Sequence, residues 1–297
     1  MTQITTEMLA WAAGFIDAEG CISIVRGQGR RSPNHYVSIQ VGNNDLPPLQ
    51  VLADMFGGTV KTRKTLYGTS KTHFSWWSRS SGPALQAIAD LSPYLVSKRE
   101  EADLVVEFGK RPTAMGRRRL SADLLRQRED LCAACQQAKR TRRVQSAEGV
   151  AAPPHALAWA AGFLDGEGCI SIGTGRASAD KSRVTYFPQL EIGHVDPRPL
   201  HIFQTLFGGH MRLCNARGKG RQPITYWCIR GVSALDAAAD MRPWLVAKSS
   251  QAAEMLKFRS LLSSTNHVRL SSDNETARAN LKRSLASMKS AKGVKHG

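Results

Sequence analysis

Two acid–glycine pairs, Glu19-Gly20 and Glu167-Gly168, carry the first chemical signal in the chain. Each closes a nearly identical segment. Residues 9–24 read LAWAAGFIDAEGCISI and residues 157–172 read LAWAAGFLDGEGCISI, differing only at Ile16/Leu164 and Ala18/Gly166. An Ala-rich apolar run precedes each acid and reads as a helix. Ala10, Ala13 and Gly14, with Ala158, Ala161 and Gly162, lie on or near one face of those helices, and small residues there allow a close helix crossing. Packed together, the helices would deliver Glu19 and Glu167 side by side at their C-terminal ends. A carboxylate is unfavourable at that end of a helix, and two neighbouring ones resist joint ionisation. A cation relieves both conflicts. Hard oxygen donors suit Mg²⁺, which keeps several waters and bridges to phosphate. Such a site could support hydrolysis of a phosphate ester, with a metal-polarised water attacking and the leaving oxygen stabilised. The plain alternative is that the acids cap helices or pair with arginine. Asp17 and Asp165 read as structural hydrogen-bonding residues at the helix ends.

The duplication extends well beyond the acids. The segments begin at 9 and 157, an offset of 148. Phe56-Gly57-Gly58 answers Phe207-Gly208-Gly209 at offset 151. Pro93-Tyr94-Leu95-Val96 and Lys98 answer Pro243-Trp244-Leu245-Val246 and Lys248 at offset 150, as Leu120-Ser121 and Asp123 answer Leu270-Ser271 and Asp273. The repeat is a whole domain, too long for a solenoid unit. Two copies in one chain imply a pseudo-dimer with approximate two-fold symmetry. The domains are read as 1–140 and 155–297, with a basic linker over 141–154 that ends at Pro153-Pro154.

Within the first repeat, Thr5-Thr6-Glu7 caps a helix that ends at Gly20. Cys21–Arg26 and Tyr36–Val41 alternate as half-buried strands. Leu49–Phe56 reads as a helix stopped by Gly57-Gly58. Thr59–Lys64 and Thr72–Arg79 read as a strand hairpin, and Pro83–Leu91 and Ser97–Lys110 as helices. The fold class is α+β: a pseudo-two-fold pair of αββαββα domains, each an antiparallel sheet with helices on one face. The other face is polar. In the first half it includes Tyr36, Ser38, Gln40, Lys61, Arg63, Ser75 and Trp77. In the second it includes Gln189, Glu191, Arg212, Thr225 and Trp227. The two tryptophans read as sheet packing.

Charge names the occupant of that polar face. The 297 residues hold 41 Lys plus Arg against 24 Asp plus Glu, a net charge of +17, which calls for a polyanion. Double-stranded DNA is the expected partner, with side chains on β-ribbons reading the major groove. Six scattered cysteines read as reduced thiols. Cys132 and Cys135 form a lone CxxC inside an expected helix, Ser121–Lys139, and read as packing rather than zinc ligands. No apolar run reaches membrane-spanning length and no secretory signal is evident, so a cytoplasmic protein is expected, acting on DNA in a nucleoid or organelle.

The segments AAGFIDAEG (12–20) and AAGFLDGEG (160–168), one domain length apart, resemble the paired motifs of single-chain LAGLIDADG homing endonucleases. The element order and the Pro-aromatic-Leu-Val-x-Lys segment extend that resemblance over nearly the entire chain. It implies a Mg²⁺-dependent endonuclease making double-strand breaks with short 3′ overhangs at a long, non-palindromic target. Ca²⁺ would support binding without cleavage. Intron-encoded origin and a monomeric state without an obligate protein partner are expected. The resemblance implies that Glu19 and Glu167 hold the metal, with the backbones of Ala18 and Gly166 as further ligands. It implies active-site roles for Lys98 and Lys248 and a water-positioning role for Asn43 and His194. The alternative within the same fold is an RNA maturase or a non-cleaving DNA-binding protein.

Overall fold

The computed structural model describes residues 3–28, 33–63, 72–79, 82–111, 120–142, 149–176, 184–215, 222–262 and 271–291. The first half runs α1 (Thr6–Glu19), β1 (Gly20–Gln28), β2 (Pro33–Asn43), α2 (Leu46–Phe56), β3 (Thr59–Arg63), β4 (His73–Arg79), α3 (Pro83–Leu91), α4 (Arg99–Gly109) and α5 (Ala122–Thr141). The second half repeats it: α6 (Ala156–Glu167), β5 (Gly168–Arg176), β6 (Val184–His194), α7 (Arg198–Phe207), β7 (His210–Cys214), β8 (Ile224–Arg230), α8 (Val232–Met241), α9 (Ser249–Leu256) and α10 (Ser272–Ala291). Each half follows the expected αββαββα order, and the helices expected over Ser97–Lys110 and Ser121–Lys139 are α4 and α5, repeated in the second half as α9 and α10. Residues 143–148 of the linker assigned to 141–154 lie outside the described residues.

Each half builds a four-stranded antiparallel sheet, ordered β1-β2-β4-β3 and β5-β6-β8-β7. Strand alternation decides its faces. Ile22, Ile24, Val37, Ile39, Val41 and Trp76 point inward and are buried, as are Ile170, Ile172, Leu190, Ile192, Trp227 and Ile229. The indole N–H of Trp76 donates to the Gly57 carbonyl and that of Trp227 to the Gly208 carbonyl, each at 2.8 Å. Those glycines have φ of 66° and 71°, a left-handed conformation that lets each helix stop and turn its carbonyl inward. α5 packs on α4 and on edge strand β1, and α10 packs likewise on α9 and β5. Cys132 and Cys135 are both buried in α5, with the Cys132 thiol 3.2 Å from the Ile24 carbonyl. Among the described residues no helix is long and apolar enough to cross a membrane.

The centre of the molecule is the α1–α6 crossing. Both helices are buried almost along their length. A Cβ added at Gly14 would fall inside the Trp159 carbonyl oxygen, and one at Gly162 inside that of Trp11. Glycine is therefore a steric requirement there.

Candidate active site and nucleic-acid face

Asp17 and Asp165 lock the crossing and aim the neighbouring lysines. Asp17 accepts from the backbone N–H groups of Val96 (2.7 Å) and Lys98 (2.9 Å), and from the Trp159 indole of the other half (3.1 Å). Asp165 accepts from Val246 (2.7 Å), Lys248 (2.8 Å) and the Trp11 indole (3.1 Å). Each aspartate thus joins its own lysine segment to the opposite motif helix. Burial pushes both carboxyls upward, opposed by these donors and the nearby lysines. The structural reading of this pair holds.

The lysine side chains turn back to the ends of the same helices. Lys98 Nζ donates to the Asp17 carbonyl and Lys248 Nζ to the Asp165 carbonyl, with the Gly166 carbonyl 3.4 Å away. Lys98 is buried, and loss of solvent is the main cause that brings its ammonium from 10.5 down to about 8. Lys248 is only half-buried.

The two acids meet where the motif helices end. A Cβ at Gly166 would lie 2.5 Å from the Ala18 Cβ and 3.0 Å from the Glu19 Cγ, so the backbones approach closely. Glu167 keeps some solvent exposure. Desolvation, then the charge of Glu19, pushes its carboxyl from 4.5 up to about 7. Glu19 is raised too, by burial, against the pull of Lys248 and Lys98. Such a pair suits a cation. Among the described residues no cluster of three or more His, Cys, Asp or Glu could form an all-protein cage. Two carboxylates flanked by the Ala18 and Gly166 backbones instead fit a hard cation that keeps its waters.

Asn43 and His194 occupy equivalent positions at the ends of β2 and β6 but behave differently. Asn43 donates to Glu19 at 3.2 Å. His194 places its Nδ1 2.9 Å from the Asp196 carbonyl and its ring edge-on to Phe163 at 5.4 Å. Burial is the main cause that brings His194 down to about 4, so it is neutral near pH 7.

On the first sheet Tyr36, Ser38, Gln40, Lys61, Ser75 and Trp77 share the face away from the helices, as the strand registers require. Gln40 and Lys61 are exposed, whereas Ser38 and Ser75 are buried on that face. Lys61 lies over the Trp77 ring at 5.3 Å and Arg79 at 5.9 Å. The side chain of Arg63 lies outside the description. On the second sheet Gln189, Glu191 and Arg212 hold the corresponding face. Arg230 donates to Gln189 at 3.1 Å, and Gln189 to Glu191 at 3.4 Å.

Thr225 and Trp227 do not join that face. They point toward the helices, because Tyr226 pairs with Gly193 and Arg212 on the outer face and their neighbours must point the other way. The equivalent tryptophans are Trp76 and Trp227, so the face assigned to β8 is one residue out of register, and a one-residue slip reverses every side chain; Trp227 is fully buried, as its reading as sheet packing requires. Outer-face residues missed in the sequence are Tyr226, Arg79 and Arg230. The common strand-ending arginine at offset 151 was the available signal for the two arginines. Gln251, Lys289 and His73 were also missed, although all three line the cleft beside Glu19.

No family model matches the chain and no curated protein matches it. Solved structures do. LAGLIDADG homing endonuclease I-GzeII in complex with its DNA target is 17% identical, with a TM-score of 0.66, covering 93% of this chain and 97% of its own. I-SmaMI bound to an uncleaved DNA target in the presence of calcium ions is 17% identical, with a TM-score of 0.62 and coverages of 93% and 98%. I-SmaMI bound to cleaved DNA is 17% identical, with a TM-score of 0.60 and coverages of 92% and 95%. The duplicated motif, the paired four-stranded sheets and this likeness over both whole chains give one conclusion: the chain has the single-chain, two-domain LAGLIDADG fold.

Proposed function

We propose that the protein is a site-specific DNA endonuclease that makes a double-strand break at a long, non-palindromic target, leaving short 3′ overhangs, by Mg²⁺-dependent hydrolysis. The observation that carries this reading is the meeting of Glu19 and Glu167, with Glu167 raised to about 7, at the crossing of the two motif helices. Structural or capping acids need no such apposition. In this reading the two sheet faces bind successive stretches of duplex and present the scissile phosphates to the acids. Glu19, Glu167 and the Ala18 and Gly166 carbonyls would hold the cation, which would supply activation of water and stabilisation of the leaving oxygen. Asp17 and Asp165 fix the backbones of Lys98 and Lys248. Those lysines supply positive charge next to each phosphate, and Asn43 orients Glu19.

The outer faces diverge between halves. Gln40 is matched by Glu191 and Ser38 by Gln189. Gln reads adenine by a bidentate contact, whereas Glu accepts from cytosine, so each difference can shift preference by about 1–3 kcal/mol. The two half-sites therefore differ in sequence. The test is a cleavage selection on a randomised DNA library with Mg²⁺, followed by sequencing of the cut ends. Two distinct half-sites about a common centre are expected. A perfect palindrome as best substrate would contradict the divergent-face reading. Binding with no cutting under any divalent cation would leave a non-cleaving protein of this fold.

A further inference from the structure

The outer faces of the two sheets differ sharply at one register position. In the first half Gln40 pairs with Trp77 across β2 and β4; in the second Glu191 pairs with Cys228 across β6 and β8. Strand alternation puts all four on the face away from the helices, opposite the buried Trp76 and Trp227. Trp77 fills its place, with Lys61 and Arg79 lying over its ring at 5.3 and 5.9 Å. Their equivalents in the second half have no indole to cover. Arg212 lies instead over Tyr226 at 5.4 Å, and Arg230 over Phe187 at 5.1 Å.

A thiol in the place of an indole leaves room. The second sheet holds a cavity of about 780 Å³, lined by Glu191, His210, Arg212, Tyr226, Cys228 and Arg230 among others. Cys228 is partly exposed and stands between Glu191 and His210 on the neighbouring strands. Glu191 Oε2 accepts from Gln189 at 3.4 Å, and a carboxylate has two oxygens with capacity to accept further bonds. Its match among the bases is the N4 amino group of cytosine. In cytosine, C5 is bonded to the carbon that carries this amino group, and both project into the major groove. A side chain that accepts from N4 therefore adjoins whatever C5 carries. Beside Glu191 that space is the cavity at Cys228; beside Gln40 it is occupied by Trp77.

We propose that this cavity admits the C5 substituent of a modified cytosine, methyl or hydroxymethyl, at the base pair read by Glu191. The inference rests on the DNA-reading part of the proposed function and not on cleavage. Glu191 selects the base, and Cys228, a small and weakly polar side chain, leaves its C5 edge uncovered. His210 and the two arginines give the cavity donors for a hydroxyl group. Cys228 is thus a specificity-determining residue: it makes the second half indifferent to a modification that a tryptophan at the same register would exclude.

The experiment selects binding sites from randomised duplex DNA in Ca²⁺, for the wild type and for Glu191→Gln. The position whose cytosine preference is lost in the variant is the one Glu191 reads. Duplexes are then made with cytosine, 5-methylcytosine or 5-hydroxymethylcytosine at that position, and the readout is the affinity for each modified duplex relative to cytosine. The wild type should bind all three within about twofold. Cys228→Trp installs the residue that the first half already holds at this register, and should weaken both modified duplexes at least about tenfold relative to cytosine, the scale of one disfavoured base contact. If thermal unfolding shows that Cys228→Trp does not fold, Cys228→Leu must shift the ratios in the same direction. A wild type weakened tenfold by the methyl group, or a filled cavity that leaves the ratios unchanged, would overturn the inference. So would a Glu191→Gln selection that keeps every cytosine preference. Cutting of the cytosine duplex in Mg²⁺ is scored separately. A protein that binds all three duplexes alike and cuts none would overturn the endonuclease reading and support this inference.

Discussion

At the residue scale, Glu167 and Lys98 set the expected pH dependence. The Glu167 carboxyl is raised to about 7 by burial and by Glu19, so near neutral pH a large share of the cation-free protein holds a proton there. Binding of a divalent cation must expel that proton, and affinity therefore grows as pH rises through about 7. Lys98 is lowered to about 8, chiefly by burial, so its positive charge is lost above that value. The cutting rate should rise through about pH 7 and fall above about pH 8. Raising the Mg²⁺ concentration should move the acid limb to lower pH and leave the alkaline limb in place. A single-turnover profile flat from about pH 6 to 9 would contradict both assignments. Asp17 gives a stability test. Its carboxylate takes three N–H donors. Asp17→Asn presents an amide N–H to some of them, and should cost about 1–3 kcal/mol in denaturant unfolding while slowing cutting through displacement of Lys98.

At the element scale, the α1–α6 crossing is a close backbone contact. Gly14→Ala and Gly162→Ala each force a methyl into the carbonyl of the opposing helix. Backbone cannot move aside as a flexible side chain can, so each should cost at least the 1–3 kcal/mol usual for overpacking and lower the melting temperature by several degrees. An unchanged melting temperature would mean that the helices do not cross as described. This element was legible in the sequence, because a run of small residues repeated over sixteen positions has few other uses. The capping of α1 by Thr5, the helix stops at Gly57 and Gly208, and the inward set Val37, Ile39 and Val41 were legible for the same local reasons. The face of β8 was not. Tyr226 and Trp227 are adjacent aromatics, either of which suits a core, and only pairing with β6 and β7 decides between them. Gln251 was also hidden. Nothing local separates it from any polar residue on a helix; its meaning comes from a cleft assembled by the other half of the chain.

At the scale of the whole molecule, a net charge of +17 should make binding strongly salt-dependent. Six phosphate contacts would give a slope of log K against log salt of about −5. A slope near zero on the recovered target would assign the charge to another purpose. The same pseudo-two-fold plan makes the acids the test of the central claim, since everything else in the fold serves to bring them together. The measurement is cleavage of the recovered target in Mg²⁺ by the wild type, Glu19→Gln, Glu167→Gln and the double variant, with binding of the same DNA followed in Ca²⁺. The account predicts that the double variant binds about as tightly as the wild type and makes no double-strand break, with each single variant severely impaired. Full double-strand cleavage by the double variant would contradict it.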